Sequence, residues 1–298
     1  MQVHLVDGTY ELFRCFFGAP PSKAPDGREV GAVRGLVATL MSLLRQEDTT
    51  HVAIAFDTVI ESFRNELFDG YKTGAGIDAN LWAQFPLAEE ATRALGIVTW
   101  SMIEFEADDA LAAFAHRIVE KHADVQRVLV CSPDKDLCQC VRDGTPQVML
   151  FDRRQDKKLD VEAVKVKLGV PPEAVPDLLA LVGDTADGIP GIPGFGMKTA
   201  GALVTRFGRL EDIPDDAAKW DVKLRGAEKL APVLASMRPQ ATLYKKLATL
   251  RTDVPLPEHL EDLAWQGPNT AKLEALAEAL GDKKLVDRVS ALCAEKLG

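Results

Sequence analysis

An α/β fold with a mostly parallel central sheet flanked by helices, followed by a helical region, is predicted by three observations. Short apolar runs at 3–6, 52–56, 128–132 and 148–151 read as buried strands, with helical patterns between them. That alternation builds a parallel sheet covered by helices. Acidic residues stand at the ends of several of these runs, where such folds bind their ligands. Beyond about residue 160 the strand signal nearly vanishes and helical periodicity takes over. A mixed part, 1–165, is therefore expected to pack as one unit with a helical part, 166–298.

In chain order, the first run ends at Asp7 and Gly8, and Leu12, Phe13, Phe16 and Phe17 follow at spacings that fall on one helical face. Tyr10, Phe13 and Phe16 are expected to pack rather than stack on bases. Residues 19–27 form a proline-rich loop. Val33, Leu36, Val37, Leu40, Leu43 and Leu44 mark a second helix. The strand 52–56 ends at Asp57, and the glycine-rich loop 69–80 carries little apolar matter. A helix is expected over 81–95, a strand over 97–100, and a helix from Glu106-Ala107-Asp108-Asp109 to about Lys121. After the strand 128–132, Ser132 and Pro133 suit the cap and first position of a helix carrying Asp134 and Asp136. The segments 161–168, 178–182, 198–207, 222–234, 240–250 and 270–297 read as helices.

Composition narrows the class without deciding it. The chain has 298 residues, 47% hydrophobic and 27% charged, ordinary for a globular protein with a full core. No apolar run reaches the roughly 18 residues of a membrane span. The first residues open straight into a strand pattern, without the charged region and cleavage site of a secretory leader. Five cysteines with no Cys-x-x-Cys pair fit a reduced, cytoplasmic protein. A net charge of −10 argues against a protein that coats nucleic acid indiscriminately, but allows acids gathered around metals and bases elsewhere.

The acids are the chemistry. Asp7, Asp57, Glu106, Asp108, Asp109, Asp134, Asp136, Asp184 and Asp187 each lie at a strand end, a helix start or a tight loop. Taken singly, Asp7 and Asp57 read more often as turn or cap residues, and Glu106, Asp108 and Asp109 equally as favourable charges at a helix N-terminus. Gathered together they repel: two like charges 4 Å apart cost about 4 kcal/mol at an effective dielectric near 20. Two Mg²⁺ or Mn²⁺ ions offset this, because hard cations take carboxylate oxygen, and such a pair suits phosphodiester hydrolysis.

The stretch 178–200 organises the rest. Asp184 and Asp187 precede a run of Pro190, Gly191, Pro193, Gly194 and Gly196, and a helix begins near Met197. The glycines permit turns closed to other residues, and the prolines stop a helix from running through. A helix–hairpin–helix over about 178–207 is expected, its free backbone N–H groups and Lys198 placed to hold a phosphate. Arg206, Arg209, Lys219, Lys223, Arg225, Lys229, Lys245 and Lys246 lie further on, where a solvated helical face is the default reading.

Six runs carry a resemblance: LVDG (5–8), FDTVIESFRNELFDGYK (56–72), EADD (106–109), SPDKDL (132–137), GDTADGIPGIPGFGMKTA (183–200) and LYKKLATLRTDVPL (243–256). Together they resemble the 5′-nuclease family of 5′–3′ exonucleases and flap endonucleases, which includes the N-terminal nuclease domain of bacterial DNA polymerase I. The similarity covers nearly the whole chain. It implies a PIN-like core and a structure-specific nuclease that cuts 5′ flaps, 5′ ends and gaps of duplex DNA in replication and repair, leaving a 5′-phosphate and a 3′-hydroxyl. RNA:DNA hybrids remain open as substrates. A monomer acting at the nucleoid, with no membrane partner, is expected.

The resemblance also assigns residues. Asp7, Asp57, Glu106 and Asp108 would form the tighter metal site, with Asp109 beside it. Asp134, Asp136, Asp184 and Asp187 would form the second, with Asp108 between. Lys72 matches a lysine that contacts the scissile phosphate, and Arg64 a basic position near the site. Gly191, Gly194, Gly196, Lys198 and Thr199 would contact DNA, with K⁺ held by hairpin carbonyls. Two positions depart from the pattern. The arginine usual after Tyr71-Lys72 is absent from residues 73–76, in what would be an arch over the site, and the asparagine usual after Asp187 is Gly188. These departures keep an alternative open, a flap- or junction-binding module with weak catalysis.

Overall fold

Strand β1 (Gln2–Asp7) lies in the middle of the sheet, and all six of its residues are buried, as a strand sandwiched between helical layers must be. The computed structural model describes every residue except Ala19 and Gly298; the expected loop at 19–27 is therefore described from Pro20 onward. Among the described residues, β1 is joined by β2 (His51–Asp57), β3 (Val98–Met102), β4 (Arg127–Cys131), β5 (Gln147–Asp152) and β6 (Lys157–Leu159), in the order β3-β2-β1-β4-β5-β6. The first five are parallel; β6 pairs antiparallel with β5, Leu150 opposite Leu159. The sequence reading had no sixth strand, because three residues with two lysines carry almost no strand signal.

Helices of the first half are α1 (Gly8–Gly18), α2 (Gly31–Arg45), α3 (Phe63–Leu67), α4 (Ala79–Trp82), α5 (Phe85–Ala94) and α6 (Ala107–Lys121). The single helix expected over 81–95 is two, because Pro86 lacks the N–H a continuous helix needs and instead opens α5. The break has a use. Gln84, between the two, accepts the N–H groups of Ala32 (3.0 Å) and Val33 (3.2 Å) and so caps α2 across the chain. Likewise the helix expected after Ser132 is only a 3₁₀ turn, Asp136–Cys140.

The second half supplies α7 (Val161–Leu168), α8 (Val175–Val182), α9 (Met197–Phe207), α10 (Ala227–Ser236), α11 (Arg238–Ala248), α12 (Thr270–Leu280) and α13 (Leu285–Leu297). The expected helix over 270–297 divides at Gly281, whose left-handed backbone (φ +67°) ends α12. Alternation along β1 sends Val3 and Leu5 into one core, with Phe114 of α6, Leu178 of α8 and Leu247 of α11. Val6 faces the other, with Leu36 and Leu40 of α2, Ala88 of α5, Leu276 of α12 and Val289 of α13. Each core thus mixes both halves of the chain. No described helix is long and apolar enough to cross a membrane.

Candidate metal centre and nucleic-acid interface

The carboxyl ends of the parallel strands meet the starts of the following helices at one edge of the sheet, and there the acids collect. Asp7 ends β1; its Oδ1 accepts the N–H of Tyr10 (2.8 Å) and its Oδ2 the hydroxyl of Ser132 (2.9 Å). Asp57 ends β2, and its Oδ1 accepts the N–H of Ala107 (2.7 Å), the first residue of α6. Asp134 follows β4 and accepts the N–H of Asp136 (3.0 Å). Asp184 and Asp187 come from the loop after α8, held by a short antiparallel bridge between Asp184 and Ile189. Among the described residues, one carboxylate oxygen each from Asp136, Asp184 and Asp187 lie within 4.8 Å of one another.

These acids repel, and their protonation records it. Burial, with Asp57 and Asp134 nearby, pushes Asp7 up to about 7 despite its hydrogen bonds. Burial and the charges of Asp7 and Asp134 raise Asp108 well above the usual carboxylate range. Asp136 is raised for the same reason, by burial and then by Asp134, Asp187 and Asp184. Its Oδ1 is buried without a hydrogen-bond partner. An orphaned carboxylate oxygen beside two more acids is a donor set suited to a hard divalent cation. The residues present fit the expected metals.

Two expected site residues have a different place. Asp109 is fully buried and both its oxygens are engaged. Arg64 donates to Oδ1 and Oδ2 at 2.7 Å each, while the N–H groups of Glu106 (3.0 Å) and Arg251 (2.9 Å) add to them. No lone pair is left for a metal. Arg64, 1% exposed, is correspondingly no phosphate contact. It also bonds Glu106 Oε1 (2.9 Å) and the carbonyls of Leu247 and Thr249, tying α6 to α11. Both are positioning groups beneath the site.

Glu106 connects this buried layer to the cluster. Its Oε1 takes Ser62 (2.7 Å) and Arg64; its Oε2 takes Lys72 (2.7 Å) and the Tyr71 hydroxyl (3.3 Å). Burial works against the charge, yet Lys72 and Arg64 hold Glu106 down at about 2. Lys72 also pairs with Asp187 (2.9 Å), and its backbone N–H donates to the Asp187 carbonyl (3.0 Å). The 70–72 turn therefore docks on the 185–188 loop. Gly188 is required there: its φ is +73°, and a Cβ would stand 2.2 Å from the Gly70 carbonyl oxygen.

Of the expected DNA contacts, Gly191 is buried, with φ +71° and no room for a side chain against Val182 and Gly183. Gly194, Gly196 and Lys198 are exposed and Thr199 half-buried at the start of α9, where no side chain caps the first turn. Lys135, between Asp134 and Asp136, was not singled out in the sequence, yet its Nζ lies 2.6 Å from Asp184 Oδ2. The signal was a lysine flanked on both sides by site acids.

Residues 2–169 match the family model for the 5′–3′ exonuclease N-terminal, resolvase-like domain, and residues 170–271 the model for the 5′–3′ exonuclease C-terminal SAM fold. A 5′–3′ exonuclease of Aquifex aeolicus is 31% identical over 96% of this chain and 94% of its own length. DNA polymerase I of Rhizobium leguminosarum is 36% identical over 97% of this chain but 28% of its own length. The chain thus spans about a third of the polymerases it matches. The fold is similar to bacteriophage T5 flap endonuclease, solved with DNA and metal ions, at a TM-score of 0.66 and 21% identity over all of both chains. The chain belongs to the 5′–3′ exonuclease family.

Proposed function

We propose that this protein is a divalent-metal-dependent, structure-specific 5′ nuclease that removes 5′ flaps and trims 5′ ends of duplex DNA during replication and repair. The observation that carries the reading is the convergence of Asp136, Asp184 and Asp187 within 4.8 Å, one of them with an orphaned buried oxygen. Asp7, Asp57 and Asp108 would hold one Mg²⁺ or Mn²⁺, joined by Glu106 through the Oε2 that the partly exposed Lys72 would have to share, and Asp134, Asp136, Asp184 and Asp187 a second. Bound there, such ions supply an activated water and charge stabilisation for the leaving oxygen.

The chain's own residues do the rest. Lys72, with its ammonium between Glu106 and Asp187, stands where a phosphate oxygen approaching the acids needs a positive neighbour. Arg64 and Asp109 fix the first turn of α6, and with it Asp108. The stretch from α8 to α9 would act as a helix–hairpin–helix: the uncapped N–H groups of α9 and the exposed Lys198 would take a phosphate of the duplex, and hairpin carbonyls would hold K⁺. The T5 relative was solved with DNA and metal ions, which supports this assignment of partner. A 5′-flap DNA labelled at its 3′ end tests the reading in Mg²⁺, Mn²⁺ and EDTA. Metal-dependent cutting near the junction is expected, reduced roughly 100-fold or more in Asp134→Asn, since losing a group that merely supports a metal ligand already costs about 10–100-fold. Tight flap binding without any cutting would make the protein a junction-binding module instead.

A further inference from the structure

Two ammonium groups neutralise the acid cluster, and they are held differently. Lys72 is pinned by Glu106 and Asp187, lies 5.6 Å from the centre of the Tyr71 ring, and is 27% exposed at its side chain. Lys135 makes one ion pair, with Asp184 Oδ2, and is 37% exposed. Asp184 is nearly fully buried, and its Oδ1 already accepts the N–H of Ala186 (3.0 Å). Its Oδ2 therefore meets a cation from this chain where the metal reading needs one from solution.

We propose that Lys135 is a tethered counter-ion of the second metal position, holding Asp184 while the position is empty and displaced when a divalent ion binds. The inference rests on the metal-dependent reading above. Physically the exchange is a contest between charges. A lysine offers one positive charge without directional demands, whereas a divalent ion offers two and takes several oxygens at once. The lysine head can withdraw into water along its flexible stem, which Lys72 cannot do without leaving two partners. Lys135 then sets the free-metal concentration at which the second position fills. It also limits repulsion among Asp136, Asp184 and Asp187 in the metal-free protein. This is a positioning role, exerted through Asp184.

Mn²⁺ binding to metal-stripped protein without DNA tests this, read from the spin-resonance signal of free Mn²⁺ in wild type, Lys135→Met, Lys135→Arg and Asp136→Asn. The Met variant should bind the ion that Asp136→Asn loses roughly tenfold more tightly than wild type, since the competing ammonium at Asp184 is gone and its exposure screens it to little more than the strength of a charge in water. Its metal-free Tm should fall. Lys135→Arg, which keeps the charge, should stay close to wild type on both measures. A lower Tm with unchanged or weaker Mn²⁺ affinity in the Met variant would make Lys135 a surface ion pair and overturn the proposal. If Asp136→Asn removes no Mn²⁺ site from the wild type, the metal reading itself fails, and the proposal with it.

Discussion

Asp108 and Asp109 are neighbours in sequence with opposite fates, and helix geometry explains why. Successive residues on a helix point about 100° apart, so one can face the cluster while the other turns beneath it. Asp108 is raised by burial among like charges, whereas Asp109 is saturated by Arg64 and two backbone N–H groups. Their isosteric amides should therefore move stability in opposite directions. Asp109→Asn breaks a buried ion pair and should cost about 3–5 kcal/mol. Asp108→Asn relieves repulsion and should stabilise the metal-free protein. Urea unfolding in EDTA measures both; equal losses would mean that both acids are structural. The run EADD marked the site in the sequence, but which acid turned inward depended on Arg64, 45 positions away.

At the scale of elements, the two breaks that sequence periodicity passed over have local causes, Pro86 at the start of α5 and the left-handed Gly281 after α12. Pro86 divides α4 from α5, and Gln84 uses the gap to cap α2. Gln84 is 1% exposed, so water cannot replace its carbonyl oxygen. Gln84→Ala should cost about 1–3 kcal/mol through the two N–H groups it orphans, seen as a lower urea midpoint with an unchanged slope. A change under about 0.5 kcal/mol, within ordinary surface-mutation scatter, would deny the cap any role. Proline is visible in the sequence as a breaker; the pairing of Gln84 with α2, some 50 residues earlier, is not. The loop 183–196 was more legible, because positive φ at Gly188 and Gly191 belongs to a residue type that the sequence displays directly. The close approach of Gly188 to Gly70 also explains the missing asparagine, since no side chain fits there.

Over the whole molecule, the parallel sheet and the helical second half followed from the alternation of patterns. The return of α12 and α13 to the face formed by α1, α2 and α5 did not, because it rests on contacts across more than 200 residues, as between Arg34 and the Leu280 carbonyl. Strand β6 has a consequence for the protein in concentrated solution. A parallel sheet ending at β5 would expose a row of unpaired backbone groups to any passing strand. Instead the chain reverses and closes that edge with three residues, two of them exposed lysines, one lying 5.1 Å over the Phe151 ring. Replacing Lys157 and Lys158 together by valine should leave the fold intact yet produce concentration-dependent association in sedimentation velocity; a variant that stays monodisperse would assign the lysines no such role. Like charges arriving edge to edge repel, and a strand this short offers a newcomer too few hydrogen bonds to hold. Protection against edge-to-edge pairing is thus expected from the margin of the sheet, on residues remote from the acidic cluster.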